Sequence, residues 1–174
     1  PYAKYAAQIA CGKKIKQLDL KYKNTNLIAV KKPVFPFNKF PKQNIFLSPE
    51  MRSTGEVIGF DNQLGSAYAK AELGAGIQLP TKGKIFISVN DSDKEDIIKI
   101  ARDFFEIDFK IIATSGTAML LNQNGIKCKS IFKVGEGRPH IVDDIKNNKI
   151  NLIINTPLGA QSRYDEHIIG IAAI

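Results

Sequence analysis

The 174 residues make up one ordinary domain or two small ones, and 44% hydrophobic with 24% charged side chains is a globular rather than a disordered composition. No apolar run approaches the roughly 20 residues that span a bilayer, so a membrane protein is not expected. The formal charge of +8 is lopsided: residues 1–50 hold ten lysines against Asp19 and Glu50, while the longer remainder is neutral, which argues against a nucleic-acid module.

The first residues lack the basic start, long apolar stretch and small-residue cleavage site of a secretory leader. Cys11 and Cys128 are too few for a disulfide framework and too far apart for a metal knuckle. A reducing cytoplasm is therefore the expected compartment. An Ala-rich helical turn ends at Gly12, and prolines 33, 36 and 41 favour extended backbone in a segment that packs on something else. DNQLGSAYAKAELG (61–74) spaces Leu64, Ala67, Tyr68 and Ala71 for a short amphipathic helix, capped by Asp61 or Asn62 and stopped at Gly74. The Gly- and Pro-containing stretch that follows reads as a linker.

From Lys84 the chain alternates strand and helix. KIFISV (84–89), FKIIA (109–113), KCKSIF (127–132) and NLIIN (151–155) are the strands. Between them lie a helix with Ile97, Ile100, Ala101, Phe104 and Phe105 on one face, a helix from Thr117 stopped at Gly125, and a helix opened by Pro139. This beat predicts an α/β fold, a Rossmann-like parallel sheet with helices on both faces, whose carboxyl-end loops gather at one edge and bind ligands there.

Those loops are rich in groups that hold phosphate. Thr114, Ser115, Gly116 and Thr117 join a strand to a helix N-terminus, where free N–H groups favour an anion and glycine allows close approach. Taken alone the four residues could equally be a helix cap. Lys94 and Lys133, from two further loops of the same edge, strengthen the anion reading. His140 and His167 have no Cys or second His at ligand spacing, so no metal site is expected, and nothing forms a Ser-His-Asp set. No catalytic residue is assigned.

PFNKFP (36–41), PEMRSTGEVIG (49–59), AYAKAELGAG (67–76), ISVNDSDK (87–94), ATSGTA (113–118), EGRPHIVDDIKN (136–147) and IINTPLG (153–159) occur in this order. Together they resemble the C-terminal part of the carbamoyl-phosphate synthase large subunit over essentially the whole chain. The resemblance implies that residues 1–76 are the irregular α+β tail of the second ATP-grasp synthetase half. Residues 80–174 would be the methylglyoxal-synthase-like allosteric domain. The implied enzyme is a ligase that makes carbamoyl phosphate from bicarbonate, glutamine-derived ammonia and two ATP, for pyrimidine and arginine synthesis. It works with a glutaminase small subunit and with ATP and Mg or Mn. The nucleotide- and metal-holding carboxylates of that enzyme precede residue 1, so this chain alone is expected to hold no cofactor and to be inactive.

By the same resemblance Lys94, Thr114, Gly116, Thr117, Lys133, Asn155 and Thr156 would form the site for UMP or IMP. The first five would hold phosphate and the last two would lie nearer the ribose. Lys31 and Glu56 would lie along the carbamate path, and in an enclosed conduit they would need pairing or water. Pro157 replaces a hydroxyl common after Asn-Thr, and Ala160-Gln161 stand where some members are basic. Lys32 occupies a position that is acidic in ornithine-activated members, so ornithine activation is not expected. The resemblance further implies that the chain starts within a helix and stops before the final strand and helix of the family domain, so a fragment or an incompletely represented chain is expected. The rival reading is a stand-alone methylglyoxal-synthase-like lyase acting on a triose phosphate. That family carries an aspartate in the Gly-rich loop after the third strand, where this sequence has KVGEGRP with Glu136.

Overall fold

The computed structural model describes residues 2–20, 26–35 and 55–173, except for the side chains of Ala160 and Gln161. The motif PFNKFP, which includes Pro36 and Pro41, and all of PEMRST therefore lie outside the described residues. In chain order the elements are α1 (Tyr2–Ala10), β1 (Ile28–Val34), β2 (Gly55–Asp61), α2 (Leu64–Gly74), β3 (Lys84–Val89), α3 (Lys94–Glu106), β4 (Lys110–Ala113), α4 (Ser115–Gln123), β5 (Cys128–Ser130), α5 (Ile141–Lys146), β6 (Leu152–Thr156) and α6 (Ala160–Ala173).

β1 and β2 pair antiparallel, with Lys31 opposite Ile58 and Pro33 opposite Glu56, and α2 packs on one face of this ribbon. The contact is made by small residues. Ala67 and Ala71 are buried, whereas Leu64 and Tyr68, expected on the apolar face, are exposed. The reason is Gly59: a Cβ there would lie 2.0 Å from the Ala67 carbonyl oxygen, so the helix sits on bare strand backbone and only alanines fit. Asp61 is not the helix cap. β2 runs through Asp61, the N-cap is Gln63, and the Asp61 carboxylate accepts the Gln63 N–H at 3.1 Å. The left-handed residue after the helix is Gly76 (φ +81°) rather than Gly74.

The second sheet is fully parallel, in the order β5-β4-β3-β6. The four expected strands are present and the Rossmann-like expectation holds. α3 and α4 cover one face over Ile85, Ile87, Ile111 and Ala113, and α5 with α6 close the other over Phe86, Ile112 and Ile153. On α3 only Ile97 and Ala101 are fully buried, and Ile100 and Phe105 stay exposed. α5 is shorter than expected and begins after His140, which is its N-cap. Pro139 thus precedes the cap instead of occupying the first helical turn. The sequence reading did not foresee α6, whose Ile168, Ile169 and Ala172 meet the core at helical spacing.

Candidate functional site: a crevice at the strand carboxyl ends

β3 leads through α3 to β4 on one side, and β6 joins on its other side, so the direction of winding reverses between β3 and β6. Loops leaving the two strands must separate there, which opens a crevice. A cavity of about 260 Å³ occupies this place, with Phe86, Ile141 and Ile169 below it and Pro157 and Leu158 on the loop beyond β6. Asn90 ties the two strands together. Its backbone N–H donates to the Thr156 carbonyl (3.2 Å) and its side-chain amide reaches the Thr156 hydroxyl (3.3 Å) and Asp93 Oδ2 (2.8 Å).

Four of the expected residues, Thr114, Lys133, Asn155 and Thr156, line this one cavity. Thr114 is the N-cap of α4 but its side chain makes no capping hydrogen bond; its hydroxyl lies 3.4 Å from that of Thr117. The first N–H donating to a helical carbonyl is that of Ala118, to Thr114, so the N–H groups of Ser115, Gly116 and Thr117 precede the intrahelical ladder. Lys94, the first residue of α3, brings its ammonium over this terminus. A Cβ on Gly116 would sit 3.8 Å from Lys94 Nζ, with no other atom within 4 Å. Lys94 and Gly116 are not among the residues lining the cavity, and Thr117 is buried with its hydroxyl against that of Thr114.

The sequence reading did not single out Asp91, Ser88, Ser162 or Asp165, all of which line the cavity. Asp91 Oδ1 holds Lys94 Nζ at 2.6 Å. Its carboxyl is kept below the usual carboxylate range first by this bond and charge, with Lys133 adding to the field. An incoming anion therefore meets a lysine already engaged by a carboxylate. Glu136, in the loop of the rival lyase reading, accepts the Lys133 N–H at 2.9 Å and closes a turn.

The other candidate positions lie apart from the crevice. Lys31 and Glu56 face outward from the β1–β2 ribbon and pair with each other at 2.7 Å, both largely exposed, so the partner they require comes from within the chain. Lys32 points to the opposite face, against buried Glu72. Its ammonium is thus compensated by a carboxylate of the chain itself. His140 is a cap residue outside the cavity, with its N–H donating to Asp143 Oδ2 at 3.0 Å. Cys128 is buried, and burial pushes its thiol up to about 11, which leaves it without nucleophilic character. Among the described residues no group of three or more His, Cys, Asp or Glu could hold a metal, and no helix is long and apolar enough to cross a membrane.

Residues 96–174 match the MGS-like domain family. The match begins within α3 and takes in β4, β5 and β6 of the second sheet. Over its whole length it is similar to carbamoyl phosphate synthase large chains: 48% identity over 170 residues to that of Nostoc sp. and 49% over 176 residues to that of Archaeoglobus fulgidus. It is 41% identical over 191 residues to the "Carbamoyl phosphate synthase large chain, C-terminal section" of Aquifex aeolicus. These matches cover 97–100% of this chain but only 15%, 16% and 36% of the respective relatives. It therefore spans about one sixth of the full-length chains. An MGS-like domain in the C-terminal part of such a chain accounts for both findings; Thr114, Lys133, Asn155 and Thr156 of the crevice fall within the matched residues, whereas Phe86 to Asp91 precede them.

Proposed function

We propose that the chain is the C-terminal regulatory portion of a carbamoyl-phosphate synthase and that its crevice binds a nucleoside monophosphate such as UMP or IMP. On this reading residues 1–76 belong to the tail of an ATP-grasp half and residues 80–174 form the allosteric domain. Catalytic ATP, its Mg or Mn, the carbamate path beside Lys31 and Glu56, and the glutaminase partner belong to the whole cytoplasmic enzyme. This chain by itself is inactive.

The observation that carries the reading is the meeting of Lys94, Lys133 and the uncapped N-terminus of α4 at the mouth of one cavity that Asn155 also lines. A phosphate set against Gly116 accepts the free N–H groups of the helix and draws on both ammonium groups. Asn155 and Asp165 offer an amide and a carboxylate to ribose hydroxyls. Asp91 acts as the resident counter-ion that the phosphate displaces.

Calorimetric titration with UMP and IMP, and with uridine and inosine, tests this. Lys94→Ala and Lys133→Ala should each weaken both nucleotides roughly ten- to hundred-fold, the loss of one charge-assisted bond of about 1.5–3 kcal/mol, and leave the nucleosides unchanged. Asn155→Ala should weaken nucleotides and nucleosides alike. Unaltered nucleotide binding in Lys94→Ala would leave helix capping as the account of Thr114–Thr117.

A further inference from the structure

The sheet is covered unequally on its two faces. α3 and α4 lie across β3, β4 and β5 on one side, but on the other α5 has six residues and packs with α6 over Phe86, Ile112 and Ile169. On that side Lys110 of β4 and Lys129 of β5 stay exposed, and an open groove of about 950 Å³ lies beside them. Phe132 and Pro139, with Phe105 from the end of α3, supply its exposed apolar surface, Ile112 itself being buried, and Lys84, Lys110, Lys127 and Lys129 line the same groove.

Register explains why the lysines gather. Strand side chains alternate between faces, so Lys84 shares a face with Phe86, and Lys110 with Ile112. Lys84 and Lys110 are direct partners on neighbouring strands, and Lys129 is the partner of Ile112. Like charges set opposite each other on adjacent strands are unfavourable unless something answers them. Lys31, Lys32, Lys70, Lys94 and Lys149 each pair with a carboxylate, but none of the four groove lysines does so among the described residues. Of the two carboxylates in the groove, Asp108 and Asp144, the latter already holds Lys149 at 3.2 Å. Phe105 and Phe132 remain 43% and 47% exposed beside them.

The geometry points to a docking site for an acidic amphipathic helix of a partner polypeptide. Parallel sheets are normally covered by helices on both faces. Three strands spaced by about 4.8 Å span roughly 10 Å, the width of one helix. The partner's apolar stripe covers Phe132 and Pro139, and carboxylates flanking that stripe meet Lys84, Lys110 and Lys129. Lysine suits this place because its aliphatic stem packs along the groove while its ammonium stays at the rim. A nucleic acid would answer the charge but bring no aliphatic surface to the floor.

The chain is titrated with a synthetic Glu/Leu peptide of about four helical turns whose leucines recur at i, i+3, i+4 and i+7. A scrambled peptide of the same composition, polyglutamate and single-stranded oligothymidylate serve as comparisons. The amphipathic peptide is expected to saturate, to weaken as salt is raised, and to bind at least about tenfold more tightly than the comparisons. The double variant Lys110→Glu/Lys129→Glu should lose at least about tenfold, while Lys99→Glu, on α3 across the sheet, should bind like the parent. If the double variant fails to fold, Lys110→Gln/Lys129→Gln gives the same readout. Carbodiimide coupling of the bound peptide should map to Lys84, Lys110, Lys127 or Lys129. Absence of saturable binding, polyglutamate binding as tightly, preference for oligothymidylate, or coupling only at other lysines would each overturn the assignment.

Discussion

Gly116→Ala separates an anion cradle from a mere helix cap, because the two accounts require opposite consequences. Gly116 is the second residue of α4 and its backbone is not in the left-handed region, so alanine can take its conformation. Only Lys94 Nζ lies within 4 Å of the added methyl, at 3.8 Å, an ordinary contact. The substitution therefore brings no clash. It removes the backbone freedom that makes glycine a poor helix residue, a gain of up to about 0.5–1 kcal/mol or a few degrees in melting temperature. The methyl nevertheless fills the space between the free N–H groups and the Lys94 ammonium. A phosphate bridging them loses at least one charge-assisted bond, so UMP and IMP should bind roughly ten- to hundred-fold more weakly. Calorimetry and thermal melts on the same preparations read both signs. A variant that melts higher and binds UMP like the parent would refute the cradle; one that melts lower would refute the account of the space around Gly116.

Gly59→Ala should fold poorly, since its Cβ would stand 2.0 Å from the Ala67 oxygen and 2.6 Å from the Ala71 nitrogen; a loss of at least about 1–3 kcal/mol is expected in urea unfolding, and an unchanged midpoint would contradict the close packing of α2 on β2. Lys32→Met leaves the Glu72 carboxylate buried without its cation and should cost about 3–5 kcal/mol, most of it recovered in Lys32→Met/Glu72→Leu; a double variant as unstable as the single one would count against the pair. Asp143 is held below its ordinary value of 3.8 chiefly by accepting the His140 N–H, with help from nearby positive charges. A depressed folded value means that this stabilisation is complete above the ordinary value and fades as pH falls through the folded one. The melting curves of the parent and Asp143→Ala should therefore differ at neutral pH and converge on acidification, whereas a gap constant with pH would exclude the linkage.

The amino-acid sequence alone determined the alternation of strand and helix from Lys84 to Thr156, though not α6, because apolar runs bounded by glycine and cap residues are local signals that the tertiary fold did not override. It also indicated the crevice, since in a parallel sheet Thr114 and Lys133, which follow β4 and β5, and Asn155 and Thr156, which end β6, must share one edge. Several features were decided only by contacts between distant segments. Whether Leu64 and Tyr68 or the two alanines of α2 face inward depends on Gly59, which belongs to another element and permits an approach that larger side chains would prevent. Asp91 became part of the site because the turn before α3 returns its carboxylate to Lys94, and Asp165 because α6 lies over the β3–β6 junction. The partners of Lys31 and Lys32 are likewise set by strand alternation and register: one side chain turns outward to Glu56, and the next turns inward to Glu72. Sequence periodicity records which faces are apolar, but which charge meets which is settled by the register and by how closely the backbones approach.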